Sequence, residues 1–350
     1  MTTCYFLVPG ALDRPTGGSR YDREIVQGLR RHGMPVAVSE LPGRFPDADD
    51  CARKAVDGLL ATLPDAATVV VDGLVLGGLP ESFSRHAHRL RLLALIHHPL
   101  ADESGIDAAL ASRLLDRETL AVARVRRVIT TSDFTANRLR ELGIHCNQVD
   151  VIEPGCSPAP LARGSHDDTP TLLCVAALTP RKAQHVLLDA LSRIAGRRWR
   201  CRLVGPVGLD PAYAAEIDRQ RRTLGLADRV ELAGAIDAEA LDAAYQAADL
   251  FVLPSRYEGY GMVVNEAIAY GLPIVTTTGG ALADTLPADA GMTIPPGDGA
   301  ALAQALQRLL DDDALRQSLT RGARRARQRL EGWEPGIQRF MAILNGADDA

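Results

Sequence analysis

Short runs rich in β-branched and other apolar residues recur along this chain, and most are separated by longer stretches of amphipathic helical sequence. That alternation predicts βαβ units and parallel sheets. The first series is Tyr5–Val8, Val36–Ser39, Thr68–Asp72, Leu92–Ile96, Arg127–Thr130 and Gln148–Ile152. The second is Thr171–Val175, Arg200–Val204, Val230–Leu232, Leu250–Leu253, Ile274–Thr276 and Met292–Ile294. Between them, from Pro154 to Pro170, the periodicity fails in a stretch holding Gly155, Pro158, Pro160 and Gly164, which reads as an interdomain linker. The expectation is an α/β protein of two doubly wound, Rossmann-like domains, one before about residue 157 and one after it. In open α/β sheets, ligands bind outside the carboxyl ends of the strands. Two such domains facing across a cleft would place the site there, on residues that follow strands.

Helix punctuation supports the division. Ser19 is expected to cap the first helix, with Asp22 three residues on, the apolar stripe Tyr21, Ile25, Val26 and Leu29, and Gly33 at its end. Ser132 is expected to cap a helix running from Asp133 to Leu142 that closes at Gly143.

Composition narrows the function classes. With 350 residues, 46% hydrophobic and 24% charged, the chain reads as globular and of about two-domain size. A net charge of −5 argues against a nucleic-acid surface, which needs clustered Lys and Arg. The six cysteines are scattered without the close spacing of a zinc site and read as reduced thiols. The N-terminal apolar run is too short for a signal segment, and no stretch approaches the ~20 apolar residues of a membrane span. A cytoplasmic protein without stable membrane insertion is expected; its oligomeric state is open.

The segment Pro254-Ser-Arg-Tyr-Glu258-Gly-Tyr-Gly-Met-Val-Val-Asn-Glu266 carries the most chemistry. A buried strand ends at Pro254-Ser255, and a helix starts near Met262. Gly259 and Gly261 allow close backbone approach to a ligand. Tyr260 lies between them in the same loop. The N–H groups of Gly261, Met262 and Val263 would point out of the helix start, where a diphosphate binds well. Glu258 and Glu266 would be repelled by phosphate, so they are expected to accept hydrogen bonds from hydroxyls. Asp47-Ala-Asp49 and Asp311-Asp-Asp313 each fit an Asp-x-Asp metal pattern, but neither follows a strand, so both read as solvated; His86-Ala-His88 lacks a third ligand. No metal site is expected.

Glu258 and Glu266, with seven residues between them, resemble the E-x7-E element of the family 4 retaining glycosyltransferases of the GT-B fold. Other parts follow in order: Thr16-Gly17-Gly18, Val128 to Thr135, Val151 to Gly155, Lys182 before Val186-Leu-Leu-Asp-Ala-Leu191, Leu232-Ala-Gly234-Ala, Gly279-Gly280 and Trp333. The resemblance implies an acceptor-side domain over 1–157 and a nucleotide-sugar-binding domain over 158–333. A helix and tail over 334–350 would return to the N-terminal domain. It implies that Glu266 bonds the donor ribose and that Glu258 holds the transferred sugar near its 3-hydroxyl. Gly17 and Gly18 would bring backbone amides to the diphosphate, and Gly234 would line the base pocket. Lys182 would clamp the leaving diphosphate, where negative charge builds. His97 resembles the family's histidine near the reacting carbon, with His98 the adjacent alternative. The chain departs from the family at Ala176-Ala177, where Gly-Arg is common, so one phosphate-binding arginine is missing; Arg181 is the candidate replacement.

The expected activity is therefore metal-independent transfer of a hexose-type sugar, with retention, from a nucleotide diphosphate sugar to a soluble acceptor. A UDP-sugar is the default donor, and no cofactor is implied. An acidic region from Asp47 to Ala67 favours the soluble acceptor. Two alternatives are a nucleotide-sugar epimerase on the same fold, which needs several acids in the cleft, and a catalytically degenerate subunit that supports a partner.

Overall fold

The computed structural model describes residues 3–103, 105–165 and 168–346. The chain forms two compact units, Met1–Gly155 with Trp333–Ala350, and Cys156–Gly332. The last four residues of the expected tail lie outside the described residues.

The first unit holds β1 (Cys4–Pro9), β2 (Val36–Leu41), β3 (Thr68–Asp72), β4 (Arg91–Ile96), β5 (Arg127–Thr130) and β6 (Val149–Val151). They pair in parallel in the order β2-β1-β3-β4-β5-β6. The second holds β7 (Thr171–Val175), β8 (Arg200–Val204), β9 (Val230–Gly234), β10 (Leu250–Leu253), β11 (Ile274–Thr277) and β12 (Gly291–Ile294). Their order is β12-β11-β10-β7-β8-β9, again parallel. Each strand expected from the sequence is present, with its ends moved by at most two residues. β5, β10 and β11 are buried along their whole length, as parallel strands covered by helices on both faces must be.

Each sheet has a point where the strand order reverses. In the first unit it lies between β1 and β3; in the second, between β7 and β10. Crossovers leave such a point in opposite directions, so a crevice opens at the carboxyl ends of the two strands.

The start of the first helix differs from expectation. It runs Gly17–Arg31, and Thr16, not Ser19, is its N-cap, accepting from the Ser19 N–H. Asp22 is therefore no part of a capping box and is buried instead. The expected linker is also mostly not free. The N–H groups of Ala162, Arg163 and Gly164 donate to Tyr270 and Gln246 carbonyls, which holds this coil against the second unit.

A final helix, Trp333–Leu344, belongs to the first unit. It buries Trp333, Ile337, Phe340, Ile343 and Leu344. Trp333 meets the Tyr21 ring edge-on at 5.8 Å, and Phe340 lies 6.4 Å from Phe6. Arg91 donates to the carbonyls of Leu344 and Ile343 at 2.7 and 2.9 Å, satisfying groups that a helix end leaves bare. The helix approaches the Gly17–Arg31 helix at Gly28, where a Cβ would run into the Ile337 side chain. Glycine-to-alanine in a helix interior usually gains about 1 kcal/mol. Gly28→Ala is expected to lose about 1–2 kcal/mol instead, through overpacking. Urea unfolding of Gly28→Ala, Ile337→Ala and the double variant checks this: the double variant should be more stable than the two single losses add up to.

Candidate active site

In the second unit, the two strands flanking the reversal supply the two halves of a charged cluster. After β7 the chain makes a 3-10 turn at Pro180–Lys182, and Ala183, at φ 52°, starts the Gln184–Arg193 helix. After β10 comes the loop through Ser255, Glu258 and Gly261. The Arg256 N–H donates to the Arg181 carbonyl at 2.8 Å, tying the two loops together.

Glu258 is the centre of the cluster and is almost fully buried. Lys182 Nζ lies 2.5 and 2.7 Å from its two carboxylate oxygens. The Ser255 hydroxyl donates to Oε1 at 2.6 Å. Arg181 Nη1 stands 3.4 Å from Oε2 and donates to the Tyr257 carbonyl at 3.0 Å. Burial pushes the Glu258 carboxyl up, but the charges of Lys182 and Arg181, with hydrogen bonds from Lys182 and Ser255, outweigh it and hold the group below its ordinary range. The Glu258 backbone is fixed as well. Its N–H donates to the Gly279 carbonyl, and its own carbonyl accepts from Ala281 at 2.9 Å. Gly280 sits at φ +68°, and any side chain there would strike the Glu258 carbonyl.

Three residues on, Gly261 at φ +93° begins the Met262–Ala269 helix, and no side chain caps it. The uncapped first turn offers backbone N–H groups and the positive end of the helix dipole, which suits an anion. Leu282 occupies the space a Gly261 side chain would need. Met262 and Val263, in that first turn, are half-buried. Glu266 Oε2 accepts from the Tyr245 hydroxyl at 2.8 Å, and Tyr245 is stacked on Tyr270 at 4.7 Å. Both glutamates thus receive protein hydroxyls in this structure. Gly259 and Tyr260 are half-buried in the loop, and the Tyr260 hydroxyl accepts from Asn265 at 2.8 Å. Gly234 ends β9 at φ +68°, and its carbonyl accepts from Gly205 at 2.9 Å. At Ala177 the backbone carbonyl accepts from Gln184. Arg181 is turned into the Glu258 network.

In the first unit, Gly17 and Gly18 open the helix after β1, and space beside Gly17 is clear. A Cβ at Gly18 would come within 3.1 Å of the His97 ring. His97 follows β4. Its Nε2 lies 3.0 Å from Asp22 Oδ1 and 3.6 Å from Asp72 Oδ2. His98 is directed elsewhere, 3.1 Å from Glu103 Oε2. Asp22 comes from the helix after β1 and Asp72 ends β3, so the two acids meet at the reversal point of this sheet. Burial and the Asp22 carboxylate push Asp72 up to about 7, against the pull of His97 and two backbone N–H groups. For His97, burial works against the charged form, but Asp22 and Asp72 raise it overall.

Neither acid was singled out from the sequence as a site residue. A signal was there: Asp22 interrupts an otherwise apolar helix stripe, and Asp72 closes a strand of valines. Among the described residues, Asp22, Asp72 and His97 are also a group whose donor atoms, all within 4.8 Å of one another, could hold a metal ion. The Asp-x-Asp motifs have structural partners: Asp49 and Asp312 cap helices, and Asp311 pairs with Arg197 at 2.8 Å.

Residues 169–312 match the family model of the glycosyl transferases group 1. That stretch is similar to a group 1 glycosyltransferase domain. It contains Lys182, Glu258 and Glu266, and the GT-B fold expected from the sequence is the one found. The chain is 30% identical over 263 residues to a D-inositol 3-phosphate glycosyltransferase of Thermomonospora curvata, covering 68% of this chain and 61% of that protein. The match thus spans about three-fifths of the relative's length. Sucrose-phosphate synthase of Thermosynechococcus elongatus shares the fold, with a TM-score of 0.81 and 21% identity over 100% of both chains. HepE of Anabaena, solved in complex with UDP-glucose, does so with a TM-score of 0.77 and 19% identity, over 99% of this chain and 100% of that one. No helix among the described residues is long and apolar enough to cross a membrane.

The ion pair of Lys182 with Glu258 has a testable consequence. Removing one partner of a buried pair leaves an uncompensated charge and costs about 3 kcal/mol or more. In the wild type, the lowered Glu258 contributes stability above its unfolded range, which is lost as pH falls through the folded value. In Lys182→Met only Arg181 and Ser255 still oppose burial; the expected outcome is that the sign reverses, with the carboxyl raised and stability lost as pH rises. Melting temperatures between pH 5 and 8 check this. Lys182→Met should lose most at the alkaline end, and adding Glu258→Gln should recover much of the loss.

Proposed function

We propose that this protein is a retaining glycosyltransferase that moves a hexose-type sugar from a nucleotide diphosphate sugar to an acceptor without a metal ion. The observation that carries this reading is the placement of Lys182, Glu258 and the uncapped Met262–Ala269 helix around one strand-order reversal. An anion at the helix start gains the dipole and the Lys182 charge, and Glu258 stands beside it as a hydrogen-bond acceptor. The diphosphate is such an anion, and the sugar hydroxyls are such donors. Glu266, now accepting from Tyr245, would accept from the ribose hydroxyls.

In this mechanism the bond between the anomeric carbon and the diphosphate oxygen breaks first, through an oxocarbenium-like state. Lys182 stabilises the charge that develops on the leaving diphosphate. A diphosphate oxygen takes the proton of the acceptor hydroxyl, and the acceptor oxygen bonds the anomeric carbon on the face the diphosphate left, releasing the protonated nucleotide diphosphate. Epimerisation draws less support. It needs acids that touch the sugar, and Asp22 and Asp72 are buried behind His97 with 2% and 3% of their surface exposed.

A thermal-shift panel with UDP, GDP, ADP and TDP, each with and without EDTA, tests the reading. A ligand of the folded state at a hundred times its dissociation constant adds about 2.7 kcal/mol. UDP is expected to raise the melting point of the wild type equally in both conditions, and Glu266→Ala should abolish the shift. If no nucleotide shifts the wild type, the chain is not a nucleotide-sugar enzyme and the degenerate-subunit reading replaces this one.

A further inference from the structure

We propose that Asp22 and Asp72 are positioning residues that hold His97 as an imidazolium, with Nε2–H turned to Asp22 and Nδ1–H presented to an oxygen atom of the substrate. The proposal rests on reading His97 as the residue that faces substrate, and it adds two residues and a protonation state to that reading.

The geometry assigns the two ring nitrogens different tasks. Nε2 is committed to the acids, at 3.0 Å from Asp22 and 3.6 Å from Asp72. Nδ1 has no hydrogen-bond partner among the described residues. The His97 side chain keeps 19% of its surface exposed, while the Asp22 and Asp72 side chains keep 2% and 4%. The histidine is therefore the one member of the cluster that a ligand can touch, and the acids act through it. The ring plane is also held. Tyr21 meets it edge-on at 5.5 Å, and Gly18 backs it where a side chain would collide.

Charge balance then selects the protonated form. Two carboxylates buried side by side repel each other, and a buried charge is tolerated only when paired. The ionisable groups facing the His97 ring are Asp22 and Tyr21 from the first helix and Asp72 from the end of β3. None of them brings a positive charge, so the imidazole supplies it. The same environment raises the proton affinity of both His97 and Asp72. An imidazolium has donors on both nitrogens and no acceptor. A His97 held in this way binds oxygen lone pairs, from a hydroxyl or a phosphate, and cannot act as a base.

Nitrogen NMR of protein labelled in its histidines, with EDTA present, tests this without any substrate. The His97 signals are those missing from His97→Gln. At about pH 7.5 the wild type should show His97 protonated on both nitrogens, with a midpoint above that of an ordinary histidine. Asp22→Asn should lower that midpoint by about one unit or more while leaving the melting temperature within a few degrees of wild type. Asp72→Asn should lower it as well. A His97 that is neutral at that pH, or a midpoint unmoved in Asp22→Asn, overturns the proposal. A second sample without EDTA, given one equivalent of zinc, is the control: zinc that fixes His97 in a non-titrating form makes the cluster a metal site and also overturns the proposal. Should Asp22→Asn not fold, the wild-type spectrum alone decides. Because no sugar or nucleotide enters the experiment, a failure of the glycosyl-transfer reading and a failure of this one are separately visible.

Discussion

Parallel strand pairing is the constraint from which the rest of this structure follows. A parallel neighbour cannot be reached by a tight turn, so each strand is followed by a crossover. All strands of a sheet then end on the same edge, and the loops that follow them collect there. Where the strand order reverses, two crossovers leave in opposite directions and a crevice forms. Both units obey this rule at the residues of interest. Lys182 follows β7 and Glu258 follows β10, neighbours at one reversal. The helix bearing Asp22 follows β1, and Asp72 ends β3, neighbours at the other.

The two clusters solve the burial of charge in opposite ways. In the second unit one carboxylate meets two cations, Lys182 and Arg181, and is held ionised. In the first, two carboxylates meet a single histidine, and proton affinity rises at Asp72 and His97. The first arrangement has positive charge to spare and suits an anionic ligand. The second is rich in negative charge but shows a ligand only its histidine. Backbone geometry supports each: Gly280 admits the Glu258 carbonyl, and Gly18 admits the His97 ring.

Arg181 shows how a missing residue is read differently in space. Its place beside Lys182 made it the natural stand-in for the arginine absent at Ala177. In the folded chain its guanidinium lies against the Glu258 carboxylate and the Tyr257 carbonyl. It thereby shares with Lys182 the charge of Glu258, a task that sequence adjacency does not reveal.

Strand and helix alternation, the order of the motifs and the Glu258–Glu266 spacing were legible in the sequence by itself. Each depends on hydrophobic periodicity or on residues a few positions apart, and local propensity and turn chemistry act over that range. The expected start of the first helix differs by a small margin, because Thr16 and Ser19 can both cap a helix and only the backbone path chooses between them. The partnership of Asp22, Asp72 and His97 joins positions 75 residues apart at the extreme pair, and that of Lys182 with Glu258 joins positions 76 apart. Such pairs exist only once the sheets order their strands. Tertiary structure alone therefore decided which charges are buried together, because only the strand order brings these positions side by side.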